Sequence, residues 1–219
     1  MKSTDIPEVM RILRSECAKL KTPYVTVVSE GEDKDPFRVL VSCILSLRTK
    51  DSTTRASSER LFNIAPTAEK LAALKVSRIE KAIYPAGFYR TKAVQLKDIA
   101  GVLVRTYSSK VPDTIDELLK LKGVGRKTAN LVVTMGYGKP GICVDTHVHR
   151  ITNRWGLVRT KNPLQTEYAL RETLDKRYWI PFNDLLVTYG QNICRPVSPL
   201  CSRCPIYRYC ERRGVEKRR

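Results

Sequence analysis

Four cysteines near the carboxyl-terminal end of the sequence are spaced closely enough to share one metal centre. They are Cys194, Cys201, Cys204 and Cys210. When cysteines crowd into 17 residues in a reducing compartment, metal binding is more common than disulfide formation. Four thiolates suit either tetrahedral zinc or a 4Fe-4S cluster. Structural zinc sites usually contain two short Cys-x2-Cys pairs, and this sequence has one such pair in the group.

A glycine-containing break between two helical patterns could bind a phosphate. Residues 114–135 read TIDELLKLKGVGRKTANLVVTM, with the break at residues 122–125. Glycine permits positive φ and close approach of another molecule, and the first N–H groups of the next helix have no partner within it. Adjacent cations favour a nucleic-acid backbone over a small nucleotide, as in a helix-hairpin-helix DNA-binding element, although an ordinary pair of helix caps is the alternative. The candidate contact residues are Lys122, Gly123, Val124, Gly125 and Arg126.

Lys127 and Asp145 can meet if the chain turns back between them. From Lys127 to Gly136 a helix travels about 14 Å at 1.5 Å per residue. A turn is predicted at Pro140-Gly141, and an extended run from there to Asp145 returns by about 13 to 14 Å. Asp145 also precedes an amphipathic stretch, which predicts an N-cap that accepts a backbone N–H. For Lys127, a plain phosphate contact is the alternative.

The charge balance indicates a polyanionic partner. The chain has 219 residues, with 40 Lys and Arg against 22 Asp and Glu, which gives a formal charge of +18. Nucleic acid and an anionic membrane surface are the two usual partners of such a chain. The membrane is disfavoured because the charged start of the sequence does not resemble a signal peptide and no apolar run approaches 18 residues. A hydrophobic fraction of 42% excludes a disordered chain.

Apolar residues recur at three- and four-residue steps nearly everywhere, which predicts an all-α protein of roughly ten helices. The clearest helical segments are residues 7–20, 36–49, 69–83 and 92–107. Proline and glycine fall between these segments as turns and helix starts. Three scattered cysteines are predicted to be buried as small apolar side chains: Cys17, Cys43 and Cys143. The final nine residues, ERRGVEKRR, are predicted to be frayed.

Three motifs together resemble the endonuclease III family of DNA glycosylases. They are LKGVGRKTANLVV, VDTH and Cys-x6-Cys-x2-Cys-x5-Cys, and the resemblance runs from about residue 25 to Cys210. It implies that Lys127 is the nucleophile, that Asp145 is the essential carboxylate and that the four cysteines hold a 4Fe-4S cluster. It also implies two interlocked helical domains with a DNA cleft between them. Residues 29–139 would form the hairpin domain, and residues 1–28 and 140–219 the iron-sulfur domain.

The activity implied by the resemblance is that of a bifunctional DNA glycosylase and abasic-site lyase of base excision repair. It would flip a damaged base, with oxidised pyrimidines as the family default, and cleave the strand by β-elimination through a lysine Schiff base. Mismatched thymine and pyrimidine dimers are alternative substrates. A non-catalytic damage-binding protein is a further alternative, against which Asp145 argues because a mere DNA binder gains nothing from a buried carboxylate.

Three further residues are candidates for filling the gap in opened DNA. His147 matches the family's VDTH pattern, whereas Arg48 stands where a glutamine is common and Phe88 where a leucine is common. Arginine and phenylalanine can both stack on DNA bases. Phe88 could instead be a core residue and Arg48 a phosphate contact. Lys122 replaces a proline that is common in the family's hairpin.

The expected partner is double-stranded DNA that contains a damaged base or an abasic site. The chain is expected to act as a monomer, without a membrane, in the cytoplasm of a prokaryote in association with the nucleoid.

Overall fold

The computed structural model describes residues 1–20 and 35–219, which fold into two compact helical units. The first unit combines the described part of Met1–Thr22 with Pro140–Arg219, and the second lies within Pro23–Lys139. The domain boundary expected between residues 28 and 29 falls outside the described residues. Within those residues there is no β-strand, so the prediction of an all-α fold is confirmed.

The second unit is built on a central helix that is apolar on nearly all sides. This helix buries a run from Val39 to Leu45, and Asp35 caps it by accepting a hydrogen bond from the backbone N–H of Phe37 at 2.8 Å. Helices that are hydrophobic all round belong in a core. The helices of this unit are α1 Pro36–Ser46, α2 Asp51–Ile64, α3 Ala68–Ala73, α4 Val76–Ile83, α5 Tyr89–Thr106, α6 Ile115–Leu119 and α7 Arg126–Leu131, which continues as a π-helical turn over Val132–Gly136.

Residues 69–83 were expected to form one helical segment, but they form parts of two helices, α3 and α4. A lysine more than 20 positions along the chain pairs with the backbone at the break. Nζ of Lys97 on α5 donates to the carbonyl oxygens of Ala72, at 3.0 Å, and of Leu74. The last carbonyl oxygens of a helix have no partner within the helix, and a lysine that donates to them satisfies them where the helix ends.

The first unit packs its helices around aromatic side chains. Trp155 and Phe182 lie edge to face with their ring centroids 6.3 Å apart, and both are almost fully buried. Its helices are α8 Ile6–Cys17, α9 Thr146–Trp155, α10 Pro163–Thr173 and α11 Trp179–Asn192. Among the helices described in residues 1–20 and 35–219, none combines the length and the apolar character needed to cross a membrane.

The three scattered cysteines are buried, as predicted. Cys17, Cys43 and Cys143 are between 1% and 8% exposed. Burial raises the pKa of the Cys43 thiol to about 12 and that of Cys17 to about 11. These two thiols are therefore neutral packing groups at physiological pH.

The carboxyl-terminal segment is ordered by main-chain hydrogen bonds, so the prediction that it frays is wrong. The backbone N–H of Arg213 donates to the carbonyl oxygen of Arg154 at 3.1 Å. Further along, the N–H of Arg219 donates to Pro199 at 2.9 Å, and Arg219 accepts from Ser202 at 2.8 Å. Charge and polarity suggested a solvated tail, but its backbone groups find partners on α9 and in residues 193–210, the cysteine loop.

Candidate functional site

The hairpin predicted from the glycine pair lies between α6 and α7. Gly123 has a φ of +82°, and a Cβ there would overlap the side-chain amide of Gln95 on α5, whereas Gly125 has a φ of −90° and serves as the N-cap of α7. Val124 is 5% exposed and anchors the turn in the core of the second unit. Lys122 and both glycines are exposed. One glycine therefore supplies the left-handed turn, while the other leaves open space next to the helix start.

Lys127 lies one residue inside α7, with its side chain exposed. The next three residues are buried. The buried thiol of Cys43 on α1 lies close enough to Lys127 for an electrostatic interaction that favours its thiolate. α7 then widens into the π-helical turn, where Oγ1 of Thr134 donates to the carbonyl oxygen of Asn130 at 2.8 Å. A rigid base thus carries an exposed amine directly behind the hairpin.

Asp145 caps α9, as its position in the sequence predicted. One oxygen, Oδ1, accepts from the backbone N–H groups of His147, at 2.8 Å, and Val148, at 2.9 Å. The carboxylate is 7% exposed, and the extended segment before it is held by Asn183, whose Nδ2 donates to the carbonyl oxygen of Cys143 at 3.1 Å. Lys127 belongs to the second unit and Asp145 to the first, so their meeting remains a prediction from the chain length.

His147 is half-buried and is tied to the cysteine loop through Arg150, a residue that the sequence reasoning missed. Nη2 of Arg150 lies 3.0 Å from Nδ1 of His147 and donates to the carbonyl oxygens of Gly190, at 3.3 Å, and Cys194, at 2.9 Å. The only sequence signal was helical spacing, since residues three apart on a helix are neighbours. A Cβ at Gly190 would overlap the imidazole of His147.

Arg48 and Phe88, 40 positions apart in sequence, form a stacked pair on the surface of the second unit. The guanidinium carbon of Arg48 lies 5.0 Å from the centroid of the Phe88 ring, and Phe88 is 60% exposed. Both have left-handed backbones, with φ values of 53° and 57°. The alternative in which Phe88 is a core residue is therefore wrong. The sequence placed each residue separately as a gap filler, and the structure brings them together.

Lys92, one helical turn after Phe88, was also missed. It is 5% exposed, and its Nζ donates to the carbonyl oxygens of Leu45, at 2.7 Å, and Leu47, at 2.6 Å, and to Oγ1 of Thr49, at 2.9 Å. Burial lowers the pKa of Lys92 to about 8. In the sequence it is one of many lysines in an amphipathic helix, with nothing to mark it as buried.

The four clustered cysteines line one cavity in the first unit. Each is half-buried, and the other walls include Trp155, Tyr189 and Val215. Desolvation raises the pKa of the Cys204 thiol, and that of Cys210 to about 11. In residues 1–20 and 35–219, no three His, Cys, Asp or Glu side chains meet the geometry for a single metal ion, and the thiols instead surround the cavity.

Hydrogen-bond donors face several of these sulfur atoms. Nη1 of Arg154 donates to Sγ of Cys194 at 3.5 Å, the backbone N–H of Arg212 donates to Sγ of Cys210 at 3.3 Å, and the hydroxyl of Tyr189 lies 2.8 Å from Sγ of Cys204. Donors of this kind stabilise thiolates that ligate a metal. Four soft ligands around one cavity, supported in this way, fit an iron-sulfur cluster.

Comparisons with known proteins identify the family. Residues 41–176 match the HhH-GPD superfamily base excision DNA repair protein family. The chain is 46% identical over 186 residues to endonuclease III of Thermotoga maritima, which covers 84% of this chain and 87% of that protein. It also resembles a non-covalent endonuclease III–DNA complex, with a TM-score of 0.84 and 30% identity over 97% of this chain and 96% of the other.

A second solved structure gives the same result. It is a trapped endonuclease III–DNA covalent intermediate with an estranged adenine, and it matches with a TM-score of 0.79 and 31% identity over 97% of each chain. With a family match over more than half of the chain and a relative at 46% identity, the chain belongs to the HhH-GPD superfamily of base excision DNA repair proteins and, within it, to the endonuclease III family.

Proposed function

We propose that Lys127 and Asp145 carry out the reaction of this base excision repair DNA glycosylase and lyase, with Lys127 as nucleophile and Asp145 as the stabilising carboxylate. The observation that carries the proposal is the position of Lys127, an exposed amine on a buried base, directly after the exposed hairpin. The fixed position of Asp145 supports it, since two backbone N–H groups hold one of its oxygens.

The substrate is double-stranded DNA with a damaged pyrimidine, an oxidised one in the first place, or an abasic site. The hairpin supplies backbone N–H groups, and Lys122 and Arg126 supply positive charge for the phosphates of the DNA. Relatives solved with DNA support this assignment. The flipped nucleotide leaves a gap, which Arg48, Phe88 and His147 are proposed to fill. Flipping is least costly at a damaged base, so selection begins there.

The reaction proceeds at C1′ of the flipped nucleotide. The base leaves with the bonding electron pair and takes up a proton, while the carboxylate of Asp145 stabilises the positive charge that develops on the sugar. The amine of Lys127 bonds to C1′ and forms a Schiff base after the ring opens. Loss of the C2′ proton then expels the 3′ phosphate by β-elimination, and hydrolysis of the Schiff base restores the lysine.

Lys127 must lose a proton before it attacks, because only a neutral amine is nucleophilic. Its side chain is exposed in the free protein. We infer that bound DNA excludes water around the amine and that Asp145 accepts the proton during the reaction. The chemistry thus depends on the complex with DNA.

Cys194, Cys201, Cys204 and Cys210 are proposed to hold a 4Fe-4S cluster. When bound, such a cluster brings a net charge of about −2 with its thiolates and holds the short loop rigid. Arg154, Tyr189 and Arg212 would stabilise the ligating sulfurs. A brown protein with four iron atoms per chain would support the assignment, whereas a colourless protein that contains zinc would overturn it.

The setting proposed for this activity is the cytoplasm of a prokaryote, in association with the nucleoid, with the chain acting as a monomer. The charge of +18 and the bacterial relative at 46% identity support it.

Borohydride trapping tests the nucleophile directly. The protein should form a covalent adduct with an abasic duplex, and Lys127→Gln should form none. Lys70→Gln, at an exposed lysine on α3 outside the hairpin, is the matched control and should still form the adduct. An adduct of equal yield with Lys127→Gln would refute the assignment. Single-turnover cleavage of duplexes that each carry one oxidised pyrimidine, pyrimidine dimer or mismatched thymine would then identify the lesion.

A further inference from the structure

Lys92 joins two surface turns from within the protein. Its three hydrogen-bond acceptors are the carbonyl oxygen of Leu45, in the last turn of α1, and the carbonyl oxygen of Leu47 and the hydroxyl of Thr49, in the turn that follows α1. Lys92 itself lies on α5, one turn after Phe88, and is 5% exposed. All three acceptors are neutral oxygen atoms, and the carbonyl oxygen of Leu47 also accepts from Oγ1 of Thr49 at 3.2 Å. A buried ammonium held in this way fixes the turn relative to the helix.

Thr49 extends this connection to the turn before α5. Its Oγ1 accepts from the backbone N–H of Gly87 at 3.0 Å. Gly87 packs so closely on the turn that a Cβ there would overlap the carbonyl oxygen of Arg48. Hydrogen bonds and close packing therefore join residues 45–49 to Gly87, directly before Phe88.

The two joined turns carry the exposed Arg48–Phe88 pair at the surface of the protein. Each residue adopts a left-handed backbone that side chains with a Cβ rarely adopt, at φ values of 53° and 57°. Such conformations persist where the surrounding structure holds them and are concentrated at functional sites. Hydrogen bonds of Lys92 fix Leu47 and Thr49 on either side of Arg48, and Thr49 binds the backbone N–H of Gly87 next to Phe88.

We propose that Lys92 is a positioning residue that presents Arg48 and Phe88 as one pre-formed stacked pair for insertion into opened DNA. The inference rests on the proposed function, in which these two side chains contact DNA. A pair that is ordered in advance avoids the cost of ordering two side chains during binding. Without Lys92, the rate of a reaction that requires extrusion of a paired base should fall. The rate of a reaction at a sugar that needs no extrusion should not.

Two substrates separate these steps. For Lys92→Met, single-turnover base release from a duplex with an oxidised pyrimidine should fall about 30- to 100-fold, the scale expected when positioning groups are misplaced. Borohydride trapping on a single-stranded oligonucleotide with an abasic site needs no extrusion and should stay within about threefold of the unmodified protein. Lys92→Arg, which keeps the charge and the donors, should recover part of the lost rate.

Lys97→Met is the matched control, because Lys97 lies on the same helix and also donates to two backbone carbonyls, those of Ala72 and Leu74. It should leave the ratio of the two rates unchanged. If Lys92→Met does not fold, Thr49→Val serves instead, since it removes the hydroxyl that links Lys92 to Gly87. The expected split between the two substrates is the same.

The fluorescence of a base analogue opposite the lesion reports opening of the DNA, and a purely structural role of Lys92 would not change it. In the Lys127→Gln background, 2-aminopurine opposite the lesion should brighten on binding, and Lys92→Met should abolish the increase at saturating protein. Equal losses on both substrates, or an unchanged fluorescence increase, would overturn the positioning role. Failure of the unmodified protein on both substrates would instead overturn the proposed function.

Discussion

Nη2 of Arg150 donates a hydrogen bond to the carbonyl oxygen of Cys194 at 2.9 Å. Arg150 lies on α9, whose N-cap is Asp145, and Cys194 opens the cysteine loop. The same guanidinium also lies 3.0 Å from the ring of His147. A single side chain therefore connects the helix of the proposed catalytic carboxylate to the proposed metal loop.

Replacing Arg150 with methionine should loosen this connection. The carbonyl oxygens of Cys194 and Gly190 would lose a charged donor, at a cost of about 1–3 kcal/mol for each buried acceptor left unpaired. We expect a lower Tm and fewer than four iron atoms per chain. Arg159→Met, in the same unit but exposed, should match the unmodified protein in both measurements. An unchanged iron content in Arg150→Met would contradict the coupling.

Two substitutions at Asp145 should separate its structural role from its chemical role. Asparagine can still cap α9, so Asp145→Asn should keep nearly the original stability, whereas Asp145→Ala should lose about 1 kcal/mol. Both should lose base release by about 10²- to 10³-fold, because the charge that stabilises the sugar cation is gone. Tm and single-turnover rates measure the two effects. Full base release by Asp145→Asn would show that the carboxylate acts only as a cap.

Lys122→Gln should weaken DNA binding without changing lesion preference. Each phosphate that a cation neutralises contributes about 0.9 to the slope of log affinity against log salt, so the magnitude of the slope should fall by about that amount. Fluorescence anisotropy at several salt concentrations measures it. Lys70→Gln on α3, outside the hairpin, serves as the control. A slope identical to that of the unmodified protein would place Lys122 away from the phosphates.

The buried ammonium of Lys92 should make stability depend on pH at the alkaline side. Burial lowers its pKa from 10.5 to about 8. Below pH 8 the lysine is protonated in both the folded and the unfolded protein, and the folded protein bears the full cost of burying the charge. Between pH 8 and 10.5 the unfolded chain keeps a proton that the folded protein has released, so stability rises with pH by at most about 1.4 kcal/mol per pH unit.

The Tm of the unmodified protein minus the Tm of Lys92→Met should therefore increase between pH 7.5 and pH 9.5. The comparison cancels the other titrating groups, which both proteins share. A constant difference across this range would show that the lysine does not titrate there.

Features that depend on neighbours in sequence could be predicted. Helical periodicity predicted most of the helices, and the position of Asp145 before an amphipathic stretch predicted its role as an N-cap. Spacing alone grouped the four cysteines that line one cavity. In each case the interacting groups lie within a few turns of chain, where local geometry dictates the contact.

Features that depend on side chains distant in sequence could not be predicted. Lys97 pairs with carbonyls at the break between α3 and α4, more than 20 residues earlier, and Lys92 pairs with carbonyls more than 40 residues earlier. Nothing in the local sequence distinguishes either lysine from a solvated one. The stacking of Arg48 on Phe88 likewise exists only once two remote turns are joined. Tertiary packing therefore decides what periodicity leaves open.

The segment that runs back from Arg213 to Arg219 has a consequence for assembly of the protein. Its main chain pairs with Arg154 on α9 and with Pro199 and Ser202 in the cysteine loop. Because two of these three partners belong to the cysteine loop, the segment keeps its hydrogen bonds only while the loop is folded. Hydrogen–deuterium exchange should therefore show its amides losing protection together with those of the loop when iron is stripped.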